Sequence, residues 1–482
     1  MMEALLPKST VVEPNTESRK PVRRTATPNL AGLRAASVRL PLCFVLAGVL
    51  SLLVSAGFIL AQPDLLAMYH YTPHLIAITH LFVLGFICSI VMGAMYQLVP
   101  VTLETQLFSE RLVKWQFAAH VSGFVGMVFA FWNFNMALVG VFGSLLTLGV
   151  GLFVFNLIST LAKVKGWNVI KFGIASALFW LSSTVAAGLL LAASKTWSFI
   201  SFQPLAAMHA HAHLGVVGVF VMMIVTVSYK LVPMFTLSEL QSARRAWWSV
   251  ALLNLGLLGV FLTVLLQSSL KPMSALVLIA GFGLYGWEIM AILRARNRRS
   301  LDWGMKYFLT AIALLVPLSI LALALSWSGL PMTAFTMQLE NVYGLLALGG
   351  LVGLAILGML YKIVPFLVWF HSYSRHIGRA KVPALGEMYS VPLQIAGYWS
   401  FLAGLVVLCV ATALSNEAGI RWGGGLLALS LAVFAVNIGK ILSHFVRPKI
   451  EAFAPKNLPP QKIYEHHTSH RQACPRNLAS GH

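Results

Sequence analysis

The chain has 482 residues, of which 58% are hydrophobic and 10% charged, and its formal net charge is +20. A water-soluble domain carries about a quarter charged residues, so this composition excludes one and describes a polytopic membrane protein. Cys43, Cys88, Cys409 and Cys474 form no CxxC pair and three of them fall in apolar spans, so neither a disulfide framework nor a zinc site is indicated.

Residues 1–40 are polar, basic and rich in Ser, Thr and Pro. They are expected to form a disordered cytoplasmic extension, and they hold no apolar stretch beside a cleavage site that would mark a signal peptide. Twelve apolar spans follow, at 41–61, 74–100, 115–133, 136–161, 171–193, 205–234, 246–267, 272–294, 305–327, 339–368, 391–414 and 423–446. The tail, 447–482, reads as a solvated cytoplasmic segment; its His466, His467, His470 and Cys474 leave metal binding open there.

Lys and Arg gather at the N-terminus and in the even-numbered loops: Arg111 and Lys114, Lys163 and Lys165, Arg244 and Arg245, Arg296, Arg298 and Arg299, then Arg375, Arg379 and Lys381. The odd-numbered loops hold only Lys195, Lys271 and Arg421. That bias puts both termini in the cytoplasm of a bacterial inner-membrane protein. The basicity is then explained by insertion and anionic lipid, so the bilayer is the expected partner and nucleic acid is not.

One pattern recurs three times. HLFVLGFICSIVMGAMYQLVP starts at His80, HLGVVGVFVMMIVTVSYKLVP at His213 and LLALGGLVGLAILGMLYKIVP at Leu345. They align without a gap and share Gly85/Gly218/Gly350, Tyr96/Tyr229/Tyr361, Val99/Val232/Val364 and Pro100/Pro233/Pro365. The pattern falls on spans 2, 6 and 10, which implies three four-helix repeats, about 41–161, 171–294 and 305–446. Trp115, Gly123 and Gly126 match Trp248, Gly256 and Gly259, and Asn156, Glu288 and Asn437 occupy similar places near the inner ends of spans 4, 8 and 12. A transporter of the common twelve-helix kind would show two six-helix halves instead.

Ionisable groups inside a membrane are functional candidates by default. Thr72–Pro73 and Pro204 open spans 2 and 6, which places His80 and His213 about 10 and 13 Å into the outer half of the bilayer. Neutral imidazole suits iron, copper and zinc. In MHAHAHLG, His209 and His213 share a helical face whereas His211 points about 200° away from His213. Met68, Met208, His70 and His74 add a weaker metal-tolerant cluster at the outer mouth. His120 is expected to be interfacial. The Tyr-x-x-Val-Pro endings read as helix stops with interfacial anchors. Glu288 could accept protons or pair with Lys230 or Lys362.

Twelve spans, cytoplasmic termini, the threefold repeat and outer-half histidines on spans 2 and 6 resemble subunit I of the haem-copper oxidase superfamily. The divergent cytochrome oxidase subunit I-like branch and its NnrS-type relatives look nearest, on His211-Ala-His213, Gly218 and Val232-Pro233. The resemblance covers about residues 40–446. It implies an all-α, oxidase-like membrane fold, with haem as cofactor and copper as a second one. It makes His80 a haem ligand, His213 or His209 the span 6 metal ligand, with His211 beside them, and Arg421 a partner of haem propionates. A cytochrome electron donor or respiratory-complex subunits are the implied partners. The sequence departs from the family on span 10, where Asn341, Tyr343 and Leu345 replace histidine, and on span 7, where Asn254 is the only strongly polar interior residue. The expected function is therefore an oxidase-like haem and metal protein, in electron transfer or nitric-oxide-related chemistry, without the ligand set of a standard oxygen reductase. A copper or small-solute transporter and a non-catalytic accessory protein of a respiratory complex are the alternatives.

Overall fold

The computed structural model describes residues 38–199 and 201–452. The basic extension and the His-rich tail, with His466, His467, His470 and Cys474, lie outside the described residues. Among those residues, eleven helices are long and apolar enough to cross a membrane. They are α1 (Arg39–Ala61), α2 (Pro73–Thr102), α4 (Met136–Ala162), α5 (Val169–Trp197), α6 (Pro204–Thr236), α7 (Ala243–Leu265), α8 (Lys271–Arg294), α9 (Trp303–Ser326), α10 (Ala334–His376), α11 (Val391–Ala413) and α12 (Glu417–Val446). The helix between α2 and α4, α3 (Glu110–Trp132), has 23 residues but opens on Glu110, Arg111 and Lys114. A two-residue antiparallel ribbon pairs Ala380–Lys381 with Glu451–Ala452.

The helix starts follow from side-chain caps. Thr72 accepts from Leu75 N ahead of α2, and Pro73 and Pro204 take the first helical positions of α2 and α6. Two starts come earlier than hydropathy implies. Thr333 and Thr336 form a reciprocal capping box that begins α10 at Ala334. Asn416 accepts from Gly419 N at 2.7 Å and begins α12 at Glu417, whose charge suits the helix N-terminus. Arg421 thus lies in the helix and not in the preceding loop.

α2, α6 and α10 are the most buried of the membrane helices. Each widens into an eight-residue π-helical segment at the same place: Leu81–Cys88, Leu214–Val221 and Leu346–Gly353. His80, His213 and Leu345 are the residues that immediately precede these segments. The π segment of α10 touches those of α2 and α6, so the three wide turns meet in the interior. The aligned glycines let the preceding helix approach. A methyl on Gly85 would lie 2.6 Å from Ser51 of α1, one on Gly218 2.7 Å from Trp180 of α5, and one on Gly350 2.9 Å from Leu314 of α9.

Three outer hairpins, α3–α4, α7–α8 and α11–α12, cross on glycines. A methyl on Gly123, Gly256 or Gly423 would come 2.6–2.7 Å from the backbone N of Leu146, Leu278 or Leu408 on the partner helix. Without hydrophobic drive between helices in lipid, such close backbone approach supplies much of the packing. Asn156, Glu288 and Asn437 also share a task. Asn156 accepts from Ser109 N and donates to Ser109 O, and Asn437 does the same with Ser390. Glu288 accepts from Gln241 N at 2.7 Å, Ser242 N at 2.9 Å and Arg245 Nε at 2.7 Å. Each ties the C-terminal part of one helix to the start of its hairpin partner. Glu288 therefore pairs with Arg245 and not with Lys230 or Lys362, which is paired with Asp302 instead.

The Tyr-x-x-Val-Pro endings differ from expectation in part. α2 and α6 stop two and three residues after Pro100 and Pro233, whereas α10 continues about two turns past Pro365. Tyr96, Tyr229 and Tyr361 are buried, so they are packing residues and not interfacial anchors. Tyr361 accepts from Asn437 Nδ2 at 3.3 Å, and Tyr96 donates to Gln116 at the same distance. His120 is fully buried as well. Its Nε2 lies 3.1 Å from both Leu84 O and Ser89 Oγ, where the π segment of α2 frees a carbonyl from regular α-helical pairing.

Candidate functional site

A cavity of about 940 Å³ lies among α2, α5, α6 and α10. Its walls are overwhelmingly apolar, and five histidines reach it: His70, His80, His209, His211 and His213. The volume is within the range of cofactor pockets, roughly 300–1,000 Å³.

His80 and His213 have the same local chemistry. His80 Nδ1 lies 2.8 Å from Ile76 O, and His213 Nδ1 lies 2.8 Å from His209 O. A backbone carbonyl only accepts, so each Nδ1 carries the proton and each Nε2 keeps its lone pair. Neither Nε2 meets a hydrogen-bonding group among the described residues. Phe131 stacks on His80 with ring centroids 5.0 Å apart, and Tyr343 lies 6.1 Å from His213. Both imidazoles are thus held in one tautomer, with ring contacts that limit rotation, and both line one cavity.

His211 points from the other side of α6, as its spacing requires, yet it lines the same cavity. Its ring packs on Gly188 of α5, where a methyl would come 3.1 Å from its Cε1, and its buried Nδ1 meets no hydrogen-bond partner within bonding distance among the described residues. His209 faces outward, to the mouth. Its Nε2 is 2.9 Å from His70 Nε2 and 3.9 Å from Glu340 Oε2. The donor atoms of His70, His209 and Glu340 all fall within 4.8 Å of one another. Burial holds the His70 imidazole below its usual pKa, opposed by the Asn341 hydrogen bond, so the ring is neutral. Burial, then the Glu340 hydrogen bond, pushes the neighbouring Tyr69 hydroxyl well above its usual range.

Arg421 is not part of this constellation. It is exposed on the first turns of α12 and does not line the cavity. The cations that do are Lys195, at the end of α5, and Lys271, at the start of α8. Lys195 donates to Tyr71 Oη at 3.0 Å. Asn254 of α7 accepts from Trp180 Nε1 at 2.8 Å and so braces α5 against α7. Sequence reasoning had no role for Glu340, although an acidic residue in the outer part of an apolar span was a visible signal. It also passed over Lys195 and Lys271, although they are two of the three exceptions to the charge bias.

No protein-family model matches the chain, and no match is found among curated proteins. Among solved structures the chain is similar to a haem-copper terminal oxidase determined as a dimer by cryo-EM. The TM-score is 0.62 at 14% sequence identity, over 86% of this chain and 84% of that chain. The class so defined is a multi-pass, all-helical membrane protein with a haem-copper oxidase-like fold. At that identity the likeness concerns the fold, and the chemistry has to be argued from this chain's own residues.

Proposed function

We propose that this chain is a divergent, NnrS-like member of the oxidase subunit I group that holds haem in the central cavity through His80 and His213. In this reading α3 also crosses the bilayer, giving twelve spans in three four-helix repeats at about 41–161, 171–294 and 305–446. Both termini then lie in the cytoplasm of a bacterial inner membrane, flanked by residues 1–40 and the tail after 446. The single observation that supports the haem assignment is a matched pair of imidazoles. Each has Nδ1 engaged by the carbonyl four residues earlier and Nε2 left as a free donor, and both line one apolar cavity of about 940 Å³.

Haem bound there would supply a one-electron couple for electron transfer or nitric-oxide-related chemistry. The chain's residues set the terms. His80 and His213 would hold the iron, with ligand basicity raised by their carbonyl partners. The apolar walls exclude water and keep the dielectric low. Lys195 and Lys271, at the outer end, offer cations to propionate carboxylates in place of Arg421. An oxygen-reducing copper centre is not supported, because α7 has no histidine and Asn254 is engaged by Trp180.

The test is a reduced-minus-oxidised spectrum with metal analysis on protein expressed with ample haem. A Soret band is expected that is lost in both His80→Ala and His213→Ala. Colourless, folded protein would end this reading. A non-catalytic accessory role is the second reading, favoured by Leu345 at the position where α2 and α6 carry histidine; it predicts co-purification with a respiratory complex and no turnover of oxygen or nitric oxide. A transporter is the third, favoured by the histidine cluster at the cavity mouth; it predicts copper without haem.

A further inference from the structure

The cluster at the cavity mouth is separate from the proposed haem ligands. His70 comes from the loop before α2, His209 from the second turn of α6 and Glu340 from the second turn of α10. Three elements distant in sequence thus deliver one donor atom each to a common point. We propose that His70, His209 and Glu340 bind a divalent first-row transition ion through two imidazole nitrogens and one carboxylate oxygen.

Donors about 2.0–2.1 Å from one ion in tetrahedral array lie roughly 3.3 Å apart. Two of the separations, 2.9 Å for His70 to His209 and 3.9 Å for His209 to Glu340, bracket that value, and the third lies within 4.8 Å, so side-chain rotations can draw the three donors onto one ion. The surrounding hydrogen bonds are those a ligand set needs. Asn341 donates through Nδ2 to Met68 O and to Gln338 Oε1, at 2.8 and 2.7 Å. Its Oδ1 therefore faces His70 Nδ1, at 2.8 Å, and accepts that ring's proton. His70 Nε2 is left as a lone-pair donor. Tyr69 donates to Glu340 Oε2 at 2.6 Å and orients the carboxylate. Ligating imidazoles and carboxylates are held by such outer partners, whose removal costs 10–100-fold in affinity.

Two further facts point to an ion. Glu340 is about a quarter exposed, and among the described residues no Lys or Arg lies within salt-bridge distance of it. Two imidazole nitrogens face one another at 2.9 Å, and His70 Nε2 has no proton of its own to offer. Without metal, His209 Nε2–H donates to His70 Nε2. An ion takes the place of that shared proton, and His209 then carries its proton on Nδ1. An N₂O set of this kind suits copper(II) and zinc, and copper(II) binds the tighter. The site is reachable from the mouth, so the ion exchanges and water completes its coordination.

The experiment uses the full chain with His466, His467, His470 and Cys474 replaced by Ala, stripped with EDTA and titrated with Cu(II), with and without haem. One equivalent is expected, with an EPR spectrum showing two coupled nitrogens, displaced by excess Zn(II). His70→Ala and His209→Ala each lower the affinity at least 100-fold, Glu340→Gln and Asn341→Leu about 10-fold, and His74→Ala leaves it unchanged. His209→Ala keeps the backbone carbonyl that His213 uses but empties a half-buried site in α6, so His70→Ala, in a loop, is decisive if His209→Ala fails to fold. No stoichiometric uptake at micromolar Cu(II), or uptake undiminished in His70→Ala, overturns the proposal. Because copper is read in haem-free protein too, this proposal and the haem reading fail separately.

Discussion

Replacing Glu288 by Ala removes the acceptor for three donors in one step. The carboxylate is fully buried and takes Gln241 N–H, Ser242 N–H and Arg245 Nε–H. Hydrogen bonds to a charged group contribute about 1.5–3 kcal/mol each, but they do not add here. Arg245 is 27% exposed and keeps its contact with the Trp287 ring at 5.3 Å, so it can turn to water, and its share is discounted to about 1 kcal/mol. The two backbone N–H groups belong to exposed Gln241 and half-buried Ser242, so each loses about 1–2 kcal/mol. The expected loss is about 3–5 kcal/mol, the range for breaking a buried ion pair. Glu288→Gln keeps an oxygen for both N–H groups and should cost about 1–2 kcal/mol; Arg245→Ala should cost about 1 kcal/mol. Unfolding in mixed micelles, followed by the fluorescence of the 13 tryptophans, ranks the three. The reasoning fails if Glu288→Ala lies within about 1 kcal/mol of wild type, or if Arg245→Ala costs as much.

Gly256→Ala should cost about 1–3 kcal/mol, since its methyl would meet Leu278 backbone N at 2.7 Å and backbone does not yield. Gly283→Ala, with nothing within 4 Å, should be neutral or stabilising by the same unfolding measurement. His120→Leu removes the donor to Leu84 O and should cost about 1–3 kcal/mol, with partial rescue by Gln; no loss would mean that the carbonyl finds another partner. In haem-replete protein, Lys195→Gln and Lys271→Gln should each lower the midpoint potential by roughly 20–40 mV, because a nearby cation favours the reduced form and a screened charge contributes about 0.5–1 kcal/mol. Unshifted potentials in spectroelectrochemistry would place the propionates elsewhere.

The membrane class and the positions of the spans were legible because hydropathy reports them directly, and the ungapped repeat singled out α2, α6 and α10, whose burial only the structure shows. The partnership of Asn156, Glu288 and Asn437 was half legible. Their similar places near the helix ends showed in the sequence, the third only with an insertion, but their task depends on Ser109, Ser242 and Ser390, each more than forty residues away. Helix ends were misjudged where capping overrides hydropathy, as at Thr333 and Asn416, and that displaced Arg421 from the role assigned to it. Proline misled only on α10: α2 and α6 end within a turn of Pro100 and Pro233, whereas α10 runs on to Tyr373 past Pro365, where neighbouring helices can satisfy the freed backbone groups. The mouth cluster was invisible as a unit, since no spacing rule links His70, His209 and Glu340.

The ungapped alignment has a consequence for how chemistry is distributed in this chain. The position before each π segment is occupied by His80, His213 and Leu345, so one backbone setting presents an imidazole twice and an apolar side chain once. One turn outward, the equivalent residues are Ile76, His209 and Asn341. In α2 that residue contributes only its carbonyl, to His80. In α6 it contributes both its carbonyl, to His213, and its ring, to the mouth cluster. In α10 Leu345 stands at the inner position, and Asn341 one turn away hydrogen-bonds His70 beside Glu340. The polar function thus moves outward by one helical turn from α2 to α10, and His209 is the residue at which the two levels join. A substitution that shifts the α6 backbone at His209, such as Ala210→Pro, should therefore weaken both the Soret band and copper binding. His70→Ala should weaken only the copper. If the double loss is not seen, the two levels are structurally independent and the link through His209 is incidental.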